Sequence, residues 1–239
     1  MFQVSTFEFN HIQVNCYIVW DAETHDCAIV DPGMSSPAEQ ATLQQYIEQN
    51  DLNPKLILLT HGHVDHLAGL RQVCERYGLP VTMHPEGRKL LKQAEVYGSM
   101  LGFNVNNMDD LEVQEIHDND VISIENGKLK IENLANASNN SQPSTPTLNS
   151  QFKIECRYVP GHCPGSICYV LHDEKTVLTG DAIFHFSIGR TDLPGGDFDL
   201  LVEKLQSRIL TLPDDYRILP GHGIPSMVWK EKTYNPFLK

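Results

Sequence analysis

Residues 58–69 read Leu-Leu-Thr-His-Gly-His-Val-Asp-His-Leu-Ala-Gly: an apolar strand runs into four potential metal ligands, His61, His63, Asp65 and His66, and then into a helix. Imidazole and carboxylate suit Zn, Mn or Fe, and alternate residues at a strand end or in the following turn can converge on one point without helical spacing. Gly62 lets the backbone bend tightly between the first two histidines. A lone histidine at a strand end is more often a hydrogen-bonding core residue, but this density of ligands has no ready structural explanation. The grammar of strand, glycine, then His or Asp recurs three times, in Val159-Pro-Gly-His162-Cys-Pro-Gly-Ser166, Val177-Leu-Thr-Gly180-Asp181 and Ile218-Leu-Pro-Gly-His222-Gly223. Each alone is ordinary turn chemistry. Together they bring the candidates to seven, His61, His63, Asp65, His66, His162, Asp181 and His222, more than one tetrahedral ion needs and enough for two ions sharing a carboxylate. The fold must gather these strand ends in one place, as sheet architectures do.

The rest of the pattern supports such a fold. Short apolar strands are expected at Val14–Trp20, Cys27–Val30, Lys55–Thr60, Pro80–His84, Val121–Ile124, Lys128–Leu134, Phe152–Val159, Ile167–Leu171, Thr176–Thr179 and Arg217–Leu219. Helices are expected at Pro37–Asn50, His66–Tyr77, Pro85–Leu101 and Asp199–Leu210. Ten short strands exceed one simple doubly wound sheet, so the expectation is α/β, with two sheets and helices outside. The stretch 135–150, ANASNNSQPSTPTLNS, has no charged residue and cannot build a core, and reads as a mobile hairpin loop. Chemically relevant residues lie on both sides of it, so residues 1–239 read as a single domain.

Eighteen Lys plus Arg against thirty-one Asp plus Glu give a formal charge of -13. That argues against nucleic acid or an anionic membrane surface as the main partner, because phosphate neutralisation needs clustered basic residues. No apolar run approaches the roughly 20 residues needed to span a bilayer. The N-terminus lacks the pattern of a signal peptide, which gives a cytoplasmic expectation. The six cysteines (16, 27, 74, 156, 163 and 168) show no C-x-x-C pairing and read as reduced core thiols. The glycosylation sequons at Asn136 and Asn139 carry no weight without secretion.

The ordered segments T-H-x-H-x-D-H-L-x-G, P-G-H-x-P-G-S, T-G-D-x-[IL]-F and L-P-G-H-G resemble the metallo-β-lactamase-fold hydrolases, and among them the glyoxalase II-like, or hydroxyacylglutathione hydrolase-like, group. Asn15-Cys-Tyr17, Ile29-Val-Asp31-Pro-Gly33, Ile188-Gly-Arg-Thr-Asp192 and Asn235-Pro-Phe237 extend the similarity over nearly the whole chain. The resemblance implies an αββα four-layer sandwich with mixed sheets face to face. It also implies one metal on His61, His63 and His162, a second on Asp65, His66 and His222, and Asp181 bridging. Zinc is the expected metal, with iron or manganese as options, and a metal-bridging hydroxide is the expected nucleophile. Asp65 and Asp181 are the candidate catalytic carboxylates, Asp65 as a proton shuttle, and Asp31 is either an orienting carboxylate behind the ligands or a turn residue before Pro32.

The small-molecule substrate implied is a thioester. The Ile188–Asp197 loop matches a shorter glyoxalase II-like subgroup with a more open cleft. Arg190 and Asp192 are its polar candidates, either for substrate contact or as a pair that fixes the loop. Cys163 stands where relatives commonly carry Thr and reads as a bystander. The alternative activity of the same fold is a mononuclear iron persulfide dioxygenase. A non-catalytic metal-binding domain is less favoured, since structural sites are usually closed and Cys-rich. A lactamase is also less favoured, since it would normally be exported.

Overall fold

The computed structural model describes residues 2–106, 108–125, 128–133 and 152–239. The stretch 135–150, expected to be a hairpin loop, and its sequons lie outside the described residues. One sheet contains β1 (Phe2–Phe9), β2 (Val14–Asp21), β3 (Asp26–Val30), β4 (Asn53–Leu58), β5 (Val81–Met83) and β6 (Val113–Glu115), in that spatial order. The first three strands pair antiparallel and β3 to β6 parallel, so the sheet is mixed. Its parallel connections run through α1 (Pro37–Gln49), the pair α2 (Val64–Leu67) and α3 (Leu70–Tyr77), and α4 (Arg88–Leu101), as parallel pairing requires.

The second sheet is built from β7 (Asp120–Glu125), β8 (Lys128–Asn133), β9 (Phe152–Tyr158), β10 (Ile167–Leu171) and β11 (Thr176–Gly180). A small hairpin follows, β12 (Ile183–Phe184) with β13 (Ser187–Ile188), then α5 (Phe198–Lys204), which runs into a turn of π-helix over Leu205–Ile209. The sheet is completed by β14 (Arg217–Pro220) and β15 (Ser226–Met227), and α6 (Val228–Tyr234) closes the order. The spatial order is β15-β14-β11-β10-β9-β7-β8, with β11–β14 the parallel pair in an otherwise antiparallel sheet.

The alternation of side chains along each strand decides the layering. On β2, Tyr17 and Val19 face the second sheet and pack with Ile154, Tyr169 and Leu178, while Cys16 and Ile18 face the helices and pack with Leu67, Leu70 and Leu91. The second sheet repeats this arrangement: Val170, Val177 and Ile218 point outward to Leu201, Leu205 and Val228. Three apolar layers result, one between the sheets and one under each set of helices. This is the four-layer α/β sandwich. Strands buried on both faces read as continuous apolar runs, as ICYVL of β10 does.

All ten expected strands are present, with boundaries moved by a few residues; Leu134, the expected end of β8, lies outside the described residues. Three helices differ from expectation. The helix expected at His66–Tyr77 is two, with an elbow at Ala68–Gly69. Gly69 N donates to Pro32 O at 2.8 Å, and a Cβ at Gly69 would stand 2.8 Å from Met34 Cε and 3.0 Å from Pro32 O. The close approach admits only glycine and leaves α2 as a short stub over the strand ends. The segment expected as Pro85–Leu101 starts with a tight 3₁₀ turn before α4, and Asp199–Leu210 is α5 plus the π-helical turn.

Topology then collects one edge. Strands β9 and β11 both run antiparallel to β10, and β14 runs parallel to β11, so their C-terminal ends share one side. Backbone bonds bring the first sheet to the same edge, Ile167 N to Thr60 O at 2.8 Å and Asn15 N to Gly221 O at 2.7 Å. No described helix is long and apolar enough to cross a membrane.

Candidate metal centre

All seven sequence candidates arrive at this edge. His61 and His63 follow β4, Asp65 and His66 lie on α2, and His162, Asp181 and His222 follow β9, β11 and β14. His63 Nδ1 stands 3.1 Å from His61 Nε2 and 2.9 Å from His162 Nε2. Asp65 Oδ2 stands 3.1 Å from His222 Nε2 and 3.7 Å from His66 Nε2. Asp181 lies between these two groups. Its Oδ1 is 3.2 Å from His66 Nε2, and its Oδ2 is 3.7 Å from both His162 Nε2 and His222 Nε2. The sets His61–His63–His162, His61–His66–Asp181 and Asp65–His66–His222 each hold ligand atoms within 4.8 Å of one another.

Hydrogen bonds on the outer side of the rings set which nitrogen faces inward. His66 Nδ1 donates to Asp31 Oδ2 at 3.0 Å, His162 Nδ1 to Arg190 O at 2.8 Å, and His222 Nδ1 to Gln13 O at 3.1 Å. The Thr60 hydroxyl donates to Asp31 Oδ2 at 2.7 Å and so is free to accept from His61 Nδ1 at 3.0 Å. Four rings therefore turn Nε2 toward the cluster, the nitrogen that a metal would take in place of a proton. Asp31 is the hub: it also accepts from Thr60 N at 2.7 Å and is almost wholly buried. Its backbone is at the same time that of a turn residue, at φ 52° with Gly33 N donating to Asp31 O at 2.8 Å.

The donor set passes a direct test of fit to cations. His66 Nε2 and Asp181 Oδ1 are buried, face each other and make no hydrogen bond. Lone pairs converging from imidazoles and carboxylates in a buried place call for positive charge between them. Burial, with His66 and His63 nearby, pushes His61 well below the usual imidazole value, and burial together with His162 lowers His63 to about 4. Burial works in the same direction on His66 and His222, but the carboxylates of Asp181 and Asp65 outweigh it and raise both. Burial opposes the ionisation of Asp181, yet the surrounding histidines hold its carboxyl well below the usual range.

Glycines make the convergence possible. A Cβ on Gly221 would collide with Asp181 Oδ1 and stand 2.6 Å from His66 Cε1, and Gly180, at φ 49°, backs directly onto the Thr60 side chain. Several positioning residues went unassigned by sequence reasoning. Asn15 Nδ2 donates to Pro220 O at 3.0 Å and Gly223 O at 2.9 Å, and Tyr17 Oη donates to Pro220 O at 2.6 Å, tying the His222 turn to β2. The Asn15-Cys-Tyr17 motif was their signal. Glu231, fully buried on α6, accepts from Phe186 N at 3.1 Å and Asn235 Nδ2 at 2.8 Å, and so holds the β12–β13 hairpin that leads from Asp181 to Arg190.

Arg190 and Asp192 pair with each other, Nε to Oδ1 and Nη2 to Oδ2, both at 2.8 Å. Cys163 is buried beside the three-histidine group, with Sγ 3.3 Å from Ser166 Oγ, and burial pushes its thiol up to about 12. All six cysteines are free and buried. A cleft of about 410 Å³ opens over the cluster, lined on one side by His63, Asp65, His162, Asp181 and His222.

Residues 10–133 and 147–222 match the profile of the metallo-beta-lactamase superfamily. Over 231 residues, 95% of this chain and 93% of the relative, it is 34% identical to the hydroxyacylglutathione hydrolase GloC of Haemophilus influenzae. The crystal structure of the BLEG-1 B3 metallo-beta-lactamase superposes with a TM-score of 0.79 at 27% identity, covering 99% of this chain and 100% of that one. That of TTHA1623 in a di-iron-bound form does so at 0.77 and 28%, covering 98% and 100%. Sequence pattern, fold and ligand arrangement agree: the chain belongs to the metallo-β-lactamase superfamily of metal-dependent hydrolases.

Proposed function

We propose that the protein is a dinuclear metal-dependent thioester hydrolase. One ion would be held by His61, His63 and His162, the other by Asp65, His66 and His222, with Asp181 shared. The observation that carries this reading is the equal approach, 3.7 Å, of Asp181 Oδ2 to His162 Nε2 and His222 Nε2, which suits a carboxylate serving both groups. The 34% identity to a hydroxyacylglutathione hydrolase supports the thioester as reacting bond. Zinc is the proposed metal on the nitrogen-rich donor set, and the di-iron-bound neighbour makes iron the next candidate.

Two divalent ions in these positions would supply Lewis-acid polarisation of an acyl carbonyl and would acidify water toward neutral pH. The chain supplies the rest. Asp31, Thr60 and the carbonyls of Arg190 and Gln13 hold the rings in one tautomer, so no reorientation is needed during reaction. Asp65 lines the cleft as a carboxylate, held below its usual range against burial by His66 and His222, and with Oδ2 engaged by His222 its Oδ1 would accept and pass on a proton. A thiolate leaves readily, so no stronger acid is required. The substrate is a small molecule. The six free thiols suit a reducing compartment, and we place the protein in the cytoplasm.

His61, His66 and Asp181 also form a two-histidine, one-carboxylate set, the arrangement of mononuclear iron oxygenases. This observation favours the persulfide dioxygenase as second reading. Protein loaded separately with Zn, Fe and Mn is to be assayed on S-lactoylglutathione, other acyl thioesters, a cephalosporin and a persulfide with oxygen-uptake detection. Thioester hydrolysis without oxygen uptake is the expected result. Oxygen uptake on the persulfide with no thioesterase activity would overturn the proposal.

A further inference from the structure

The ligand cluster forms one wall of the cleft, and the remaining lining is largely apolar. Helix α4 contributes Leu90, Ala94, Tyr97 and Leu101, a spacing of four, three and four residues that lays a continuous stripe along one helix face. At 1.5 Å of rise per residue the stripe is about 16 Å long. Leu91, Ala94 and Gly98 bury the adjoining face in the core, with Ala94 at the boundary, so Leu90, Tyr97 and Leu101 of the stripe are left outside the core clusters. Tyr97, Met100 and Leu101 are 38%, 76% and 50% exposed; Ile12, from the turn between β1 and β2, and Leu193, from the loop after β13, are 37% and 36% exposed. Scattered exposed apolar residues carry no meaning. Five of them, from three elements and all on one cleft beside a reactive centre, form a ligand surface.

Charge points the same way. Apart from the ligand carboxylates and their histidines, the one charged side chain lining the cleft among the described residues is Arg190. Its guanidinium fork is taken up by both oxygens of Asp192, which leaves the rim without net charge. Arg88, Lys89 and Lys92 of α4 are exposed but stand outside the lining. A thiol carrying two carboxylates, as glutathione does, needs cations or donors to replace the water it sheds, and the described lining offers no unpaired cation.

We propose that the substrate is a thioester with an apolar, uncharged acyl chain that lies along Leu90, Tyr97 and Leu101. The inference rests on the thioesterase reading for the identity of the reacting bond. The surface itself is argued independently of that bond.

The test uses the zinc-loaded protein and acyl thioesters of the uncharged thiol N-acetylcysteamine, from acetyl through butyryl and hexanoyl to octanoyl, alongside S-lactoylglutathione. We expect kcat/KM to rise with chain length, by up to about fourfold for each methylene buried, and octanoyl to exceed S-lactoylglutathione. Leu101→Glu should lower the octanoyl-to-acetyl ratio about tenfold, the equivalent of about two buried methylenes. A flat chain-length profile, or S-lactoylglutathione as the better substrate, overturns the inference while leaving the hydrolase reading standing. Binding of ethyl and octyl thioethers of N-acetylcysteamine, which have no bond to cleave, is measured by calorimetry on the same protein. Tighter octyl binding that Leu101→Glu weakens supports the apolar surface even if no thioester is hydrolysed, and equal binding of the two thioethers overturns it.

Discussion

The two halves of the ligand cluster are built on different principles. His61, His63 and His162 offer nitrogen only. Burial, with neighbouring imidazoles, keeps His61 and His63 neutral to low pH. Asp65, His66 and His222 form a charged group in which carboxylates hold positive charge on the imidazoles. Exposure differs too: the His61 side chain is buried, whereas that of His222 is 23% exposed. The first half relies on preorganised neutral lone pairs and the second on charge. Protons therefore compete weakly for His61 and His63 and strongly for His66 and His222.

Substitutions can break or sharpen this contrast. The largest effect is expected from Asp181→Ala, because Asp181 faces both halves. Metal analysis should find both ions lost and hydrolysis at background. Loss of one ion alone would mean that the carboxylate belongs to a single half. Asp31→Asn should act more mildly on both halves, through Thr60 on His61 and directly on His66. Outer partners of this kind are worth about 10–100-fold in metal affinity, measurable by competition with a chelator. An effect confined to the Asp65–His66–His222 half would remove Thr60 from the account.

The same contrast bears on what a sequence discloses. The seven candidate ligands are legible because chemistry constrains residue type: five sit just after a strand with a glycine beside them, and Asp65 and His66 follow on the short α2. The layering is legible because the double-sided burial of strands such as β10 leaves an apolar run. The outer anchors are different. His222 depends on the carbonyl of Gln13, 209 residues away in the chain, and a backbone carbonyl carries no residue signature. The carbonyl of Arg190 that holds His162 is hidden in the same way, although the Arg190 side chain attracted notice.

The elements missed were short or weakly patterned. Strand β1, FQVSTFEF, is an edge strand with its ends buried and its middle mixed between exposed and half-buried, and β6, β12, β13 and β15 span two or three residues each. Helix α6 is only seven residues, VWKEKTY, and buries Val228 and Glu231. A buried glutamate there reads from sequence as a solvated charge. The elbow at Gly69 was equally hidden, since Pro32 and Met34 reach it only through the fold.

Metal stoichiometry as a function of pH tests the central claim most directly. A raised imidazole pKa means the proton is held to higher pH, so an ion must displace it, and acidification weakens the Asp65–His66–His222 half first. Burial holds His61 well below the usual imidazole value and lowers His63 to about 4, so these two ligands stay free of protons further into acid. Zinc-loaded protein dialysed at successive pH values should carry two ions per chain near pH 7 and about one near pH 5, where ordinary histidines are largely protonated. A single ion per chain at neutral pH, or both ions leaving together on acidification, would contradict the two-half centre.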